Sequence, residues 1–135
     1  MLKKNGFTLI EIVVVLTAIG ILSALAWPNY VAIKEKTLNR EARAVLLLLH
    51  TAEKNYRMEH GKYYPETTTV SAIPEINQNL KLSIPLATNW TFTLDTTTSG
   101  SEFVQAARSG SDSRVWKSYL PDEFELSCSG GSYCS

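Results

Sequence analysis

A single carboxylate, Glu11, stands inside an otherwise uncharged apolar run that follows Lys3, Lys4 and Gly6. On insertion scales an acidic side chain in a membrane-length segment costs about 2.5–3.5 kcal/mol, and such a residue is usually kept for a pairing that offsets the cost. The arrangement therefore suits charge pairing in a low-dielectric setting. Candidates for catalysis are sparse. His50 and His60 fall on a predicted helix, far in sequence from Cys128 and Cys134, which leaves too few ligands for zinc. No serine sits in a nucleophile elbow, and neither a P-loop nor a dinucleotide fingerprint is present. The chain is expected not to be an enzyme, to need no cofactor and to lack an ATPase of its own. Asp112, Asp122, Glu123 and Glu125 read as solvated turn acids, because calcium asks for about six converging oxygens. Asn89-Trp90-Thr91 fits a glycosylation acceptor, a pattern common by chance.

Residues 7–33 form a 27-residue segment whose only charge is Glu11, long enough to span a bilayer. Lys3 and Lys4 place the N-terminus in the cytoplasm by the positive-inside tendency, and everything after Ile33 outside it. Trp27 and Tyr30 fit an interfacial aromatic belt at the far end. A rival reading is a conventional secretory signal with residues 7–22 as its apolar core and cleavage near Ala26, which would release a secreted binding domain. Glu11 argues against it, since a discarded peptide has no use for a charge there. A plain membrane anchor is the third reading.

The residues Gly6-Phe7-Thr8-Leu9-Ile10-Glu11 behind a short basic leader resemble the start of the type IV prepilin family, pilins and pseudopilins alike. The resemblance implies that a prepilin peptidase cuts between Gly6 and Phe7, discards residues 1–6 and N-methylates Phe7. It also implies that Phe7 and Glu11 mediate subunit assembly. Gly20 and Pro28 stand where the family has its helix glycine and its first helix-interrupting proline, so a helix break is expected at Pro28, which lacks a backbone donor. The implied fold is α+β, the type IV pilin fold, a long N-terminal helix packed on a small antiparallel sheet. Implied partners are further copies or other pilins in a helical filament, an assembly ATPase with its platform protein, and the inner membrane before assembly. DNA is not indicated: Lys plus Arg equals Asp plus Glu at 13 each, and without Lys3 and Lys4 the balance is −2.

Beyond residue 33 the pattern changes to an amphipathic helix over 34–60, with Leu38, Ala42, Val45, Leu49, Ala52 and Tyr56 on one stripe and charges including Glu35 and Glu53 on other faces. A helix from 7 to about 59 would be roughly 80 Å long. Four successive leucines, 46–49, cover more circumference than one stripe needs, so they face either a neighbouring subunit as well or a broad internal contact. His60-Gly61 predicts the helix stop. Residues 61–79 read as a surface loop with at most a short helical turn, in which Tyr63, Tyr64 and Pro65 anchor the loop on the helix. Residues 80–135 read as an antiparallel meander of three to five strands, over 80–84, 90–94, 102–108, 114–120 and 124–127. In an exported domain Cys128 and Cys134 are expected to form a disulfide rather than stay reduced. Pseudopilins that resemble this chain at the N-terminus often hold calcium in their C-terminal loop; the cysteine pair here looks more like a true pilus subunit. The sequence reading is thus a structural subunit of a type IV pilus, with a pseudopilin of type II secretion or competence as the alternative, ending in a surface pilus or periplasmic pseudopilus.

Overall fold

A computed structural model describes residues 6–86, 88–108, 110 and 112–134. Lys3, Lys4 and the rest of the expected leader before Gly6 lie outside the described residues. The chain divides into two compact units, Met1–Lys36 and Thr37–Ser135.

Helix α1 spans Leu9–His60. It starts where Thr8 can cap it: the Thr8 hydroxyl accepts the Glu11 N–H at 3.4 Å, the Ser/Thr-x-x-Glu spacing of a capping box. Glu11 also lies in the first turn, where the exposed N–H groups favour negative charge. After residues 6–8 the first unit is this helix among its described residues, and its Leu and Ile side chains are exposed. The helical state persists through position 28, where the sequence predicts a helix break at Pro28. A proline forfeits one internal bond of such a helix.

In the second unit α1 buries Leu38, Ala42, Leu46 and Leu49, with Val45, Ala52 and Tyr56 half-buried beside them. Steps of 100° put Asn39, His50 and Glu53 on the same buried face, and burial of Glu53, like that of Glu35 in the first unit, corrects the expectation that they point outward. Gly61 ends α1 with φ +78 and donates its N–H to the Arg57 carbonyl at 2.7 Å, a left-handed cap that glycine adopts without strain.

The expected loop 61–79 holds more structure than a turn: strand β1 (Thr69–Val70) and helix α2 (Ile73–Leu80), which begins with Pro74 in its first turn. Strands β2 (Thr91–Asp95), β3 (Phe103–Ala107), β4 (Val115–Tyr119) and β5 (Ser127–Ser129) complete a five-stranded antiparallel meander in the order β1-β2-β3-β4-β5. Residues 80–84 are not a strand. Leu80 closes α2, and the Asn77 side chain binds Ile84 from both sides, Nδ2 donating to its carbonyl and Oδ1 accepting its N–H, each at 2.9 Å. Those backbone groups are therefore spent locally rather than on a ladder. The last strand lies later than 124–127, because pairing begins at Ser127 opposite Lys117.

Alternation along β2, β3 and β4 turns Phe92, Leu94, Val104, Ala106, Trp116 and Ser118 inward onto α1 residues. Burial of this apolar face supplies the main driving force for the unit. Trp90 adds a direct tie, its indole N–H donating to the Leu38 carbonyl at 3.1 Å.

Candidate functional site

The residues that the sequence singled out for processing and assembly stand together at the start of α1. Gly6, Phe7 and Thr8 precede the helix, Phe7 is 75% exposed, and Glu11 is exposed one turn in. A side chain built on Gly6 would meet no described atom within 4 Å, so folding of this chain places no demand for glycine there. The same holds at Gly20. By length and composition α1 can cross a membrane, and its most apolar window is wholly unburied. Trp27 and Tyr30 are exposed. Chemically, among the described residues, this is a stem with one carboxylate near its start and apolar side chains left exposed.

The leucine run separates into two roles. Leu46 and Leu49 are fully buried in the core, whereas Leu47 and Leu48 are 48% and 44% exposed. Two leucines serve the internal contact and two are partly exposed.

At the opposite end of the chain Cys128 and Cys134 form the expected disulfide. The closed loop is held by more than that bond. The Asn39 amide donates to the Tyr133 carbonyl at 2.7 Å, and Arg114 Nη1 reaches the same oxygen at 3.4 Å. Arg114 is fully buried, pairs with Asp112 at 2.9 Å in a charge contact that lacks hydrogen-bond alignment, and lies near the rings of Trp90 and Tyr133. The other Asp112 oxygen accepts the Ser132 N–H at 3.0 Å. Gly131, at φ +76, passes so close to Asp112 and Arg114 that a side chain would collide with both. Asp112 is therefore a structural partner, not the solvated turn acid expected. Asp122, Glu123 and Glu125 are exposed, and among the described residues no group of three His, Cys, Asp or Glu could hold a metal ion.

The two histidines are structural. Buried His50 bonds the Tyr119 carbonyl at 3.2 Å, and burial pushes its imidazole below the usual range, although that carbonyl opposes the shift. His60 stacks on Tyr56 with centroids 4.1 Å apart. Tyr63 and Tyr64 are buried and anchor the corner at 63–65, as read from the sequence. Tyr63 donates to the Leu120 carbonyl at 3.0 Å, and the Tyr64 hydroxyl donates to Glu75 at 2.9 Å. Asn89 and Thr91 of the acceptor pattern are exposed, with Trp90 buried between them. Sequence reasoning missed the Asp112–Arg114 pair and the burial of Glu53. The glycines at 130 and 131 were a signal for the first, and the seven-residue step from Leu46 for the second.

Comparison with known proteins falls on the same segment. The model of the prokaryotic N-terminal methylation motif matches residues 1–27. The chain is similar to the type IV major pilin protein PilA of Myxococcus xanthus, 36% identical over 73 residues, which cover 54% of this chain and 33% of that protein. It is also similar to the type II secretion system core protein G of Escherichia coli, 33% identical over 94 residues, covering 65% of this chain and 58% of that protein. For the core protein G of Vibrio cholerae the figures are 30% over 89 residues, 66% and 54%. The chain thus spans between a third and three fifths of the length of these relatives. No solved structure matches it. This chain carries the prokaryotic N-terminal methylation motif and is homologous to a type IV pilin and to the core G proteins of type II secretion systems.

Proposed function

We propose that this chain is a structural, non-catalytic filament subunit of the pilin type, polymerising through the apolar part of α1. The observation that carries the reading is an exposed apolar stem with one carboxylate, directly behind a Gly6-Phe7 processing motif that folding of the chain does not require. Before assembly the stem lies in the inner membrane, with the basic leader in the cytoplasm and the sheet-bearing unit outside. Cleavage after Gly6 gives Phe7 a positive amine four residues from Glu11. Glu11 of an incoming subunit then pairs with that amine on a neighbour already in the filament. In a low-dielectric helix bundle the pair compensates two costly charges and fixes axial register, while apolar packing supplies the cohesion. A prepilin peptidase, an assembly ATPase and a platform protein are the separate partners this route requires.

A subunit of a type IV pilus is the favoured form, because the C-terminal loop is closed by a disulfide and by the Asn39 and Arg114 contacts. A pseudopilin of type II secretion is the second reading, supported by the longer matched share of the core G proteins. N-terminal peptide mass spectrometry of the protein from its own host tests the reading, coupled to fractionation of sheared surface filaments. A chain starting at N-methylated Phe7 and abundant in the sheared fraction is expected. The same start confined to the cell envelope favours the pseudopilin, and a start at Trp27 overturns both.

A further inference from the structure

Glu53 is a fully buried carboxyl on α1, one turn beyond Leu49. Its Oε2 accepts the Tyr64 N–H at 2.9 Å, while its Oε1 is buried with no hydrogen-bond partner, and no cation is paired with it among the described residues. An isolated buried charge is costly, so such a group holds its proton instead of ionising. The groups around it do not offer relief. On α1 these are His50, Tyr56 and Arg57; Arg57 is engaged, its Nη1 donating to the Tyr63 hydroxyl at 2.8 Å. On the corner they are Tyr63 and Tyr64, and beyond the Tyr64 hydroxyl lies Glu75 on α2, itself acidic. Asp122, on the connection between β4 and β5, accepts Lys54 through its backbone carbonyl at 2.9 Å.

We propose that Glu53 is a proton-operated latch that closes the corner at 63–65 onto α1 while neutral and releases it on ionisation. The corner is a junction of three elements. Tyr63 ties it to Leu120 after β4, Tyr64 ties it to Glu75 and Asn79 of α2, and Glu53 ties it to α1. Glu53 is the fully buried carboxyl of this junction. Burial pushes its carboxyl up to about 8 against the weaker pull of the Tyr64 N–H, whereas burial and Glu75 push the Tyr64 hydroxyl up to about 12. The unfastened corner has an ordinary carboxylate and takes up its proton less readily. Closure is therefore fully favoured in acid and is lost as pH rises through about 8. This inference concerns the sheet-bearing unit and stands whichever filament the chain builds.

The test is hydrogen exchange of the Tyr64 and Leu46 amides in the full chain in detergent micelles, between pH 6 and 9, after correction for intrinsic exchange. Protection of the Tyr64 amide is expected to fall by about tenfold or more, with Leu46 reporting the accompanying change in the whole unit, and Glu53→Gln is expected to keep Tyr64 protected throughout. Equal loss in Glu53→Gln overturns the latch. A direct titration of the Glu53 carboxyl by carbon NMR in the unmodified chain needs no variant to fold. A midpoint above about 7 supports the latch, and one in the ordinary range near 4.5 overturns it.

Discussion

The side-chain amide of Asn39 donates to the backbone carbonyl of Tyr133 at 2.7 Å, joining residues 94 apart in sequence. Tyr133 lies inside the ring that Cys128 and Cys134 close, so the disulfide keeps this acceptor in reach of the helix. The same carbonyl receives Arg114, whose side chain is wholly buried. The C-terminal ring thus acts as a lid on a buried cation.

Removing the ring closure exposes that dependence. Replacing Cys128 and Cys134 by serine is expected to cost about 2–3 kcal/mol through chain entropy alone for so small a loop. Asn39→Ala is expected to cost about 1–2 kcal/mol by removing one partner of a buried bond. The two changes should be less than additive, since both act on one carbonyl. Urea denaturation of the two variants and their combination checks this, and strict additivity would show that the ring and Asn39 act separately.

Near the start of the chain Glu11→Ala is expected to leave membrane insertion intact, because it removes a residue costly in lipid. It should abolish filaments or spoil their register if Glu11 pairs with the Phe7 amine of a neighbour. Quantifying sheared filaments beside membrane-bound subunit tests this. Wild-type filament yield from the variant would refute the pairing.

Gly6 separates processing from folding. Nothing described lies within 4 Å of a side chain placed there, so Gly6→Val should leave the stability of the sheet-bearing unit within about 0.5 kcal/mol of wild type. The leader should nevertheless stay attached, giving an intact N-terminus by mass spectrometry. A cleaved Gly6→Val protein would refute the assignment of Gly6 to the peptidase site.

Legibility in the sequence followed the strength of each local signal. The stem from 7 to 33, the stop at Gly61 and three of the strands were readable because unbroken apolarity, a left-handed cap and strict alternation each leave a direct mark. Residues 80–84 misled, since Leu80, Leu82 and Ile84 alternate as a strand would, yet Asn77 captures Ile84 from a preceding helix. Glu53 was read as exposed because its type outweighed its position; the helical step from Leu46 placed it inside. The Arg114 junction joins α1, β4 and the C-terminal ring, and no short-range pattern announces a contact between such distant segments.

The outward leucines provide a matched pair with the inward ones. Leu46→Ala or Leu49→Ala should cost about 2–5 kcal/mol by opening a cavity. Leu47→Asp and Leu48→Asp should change stability by only about 0.5 kcal/mol, because both side chains already face out. If these two serve contacts between subunits, the aspartates should nonetheless reduce filament yield. Thermal melts of the unassembled chain and sheared-filament assays separate the two effects.

His50 and Glu53 stand one turn apart on α1 and impose opposite pH slopes on stability. Burial holds the folded imidazole below its ordinary value, so as pH falls through about 6.5 the unfolded chain takes up a proton first. Stability from His50 is therefore present above that value and lost in acid. Burial raises the folded Glu53 carboxyl from 4.5 to about 8, so its contribution is present in acid and lost as pH rises through that window. In wild type the two slopes oppose each other as pH falls through about 6.5, which calls for a test that isolates each. Urea midpoints in Glu53→Gln should rise with pH through this value, those in His50→Gln should fall, and the double variant should be nearly flat. A flat profile in Glu53→Gln would mean that His50 stays solvated enough to titrate normally despite its burial against Phe124 and its bond to Tyr119.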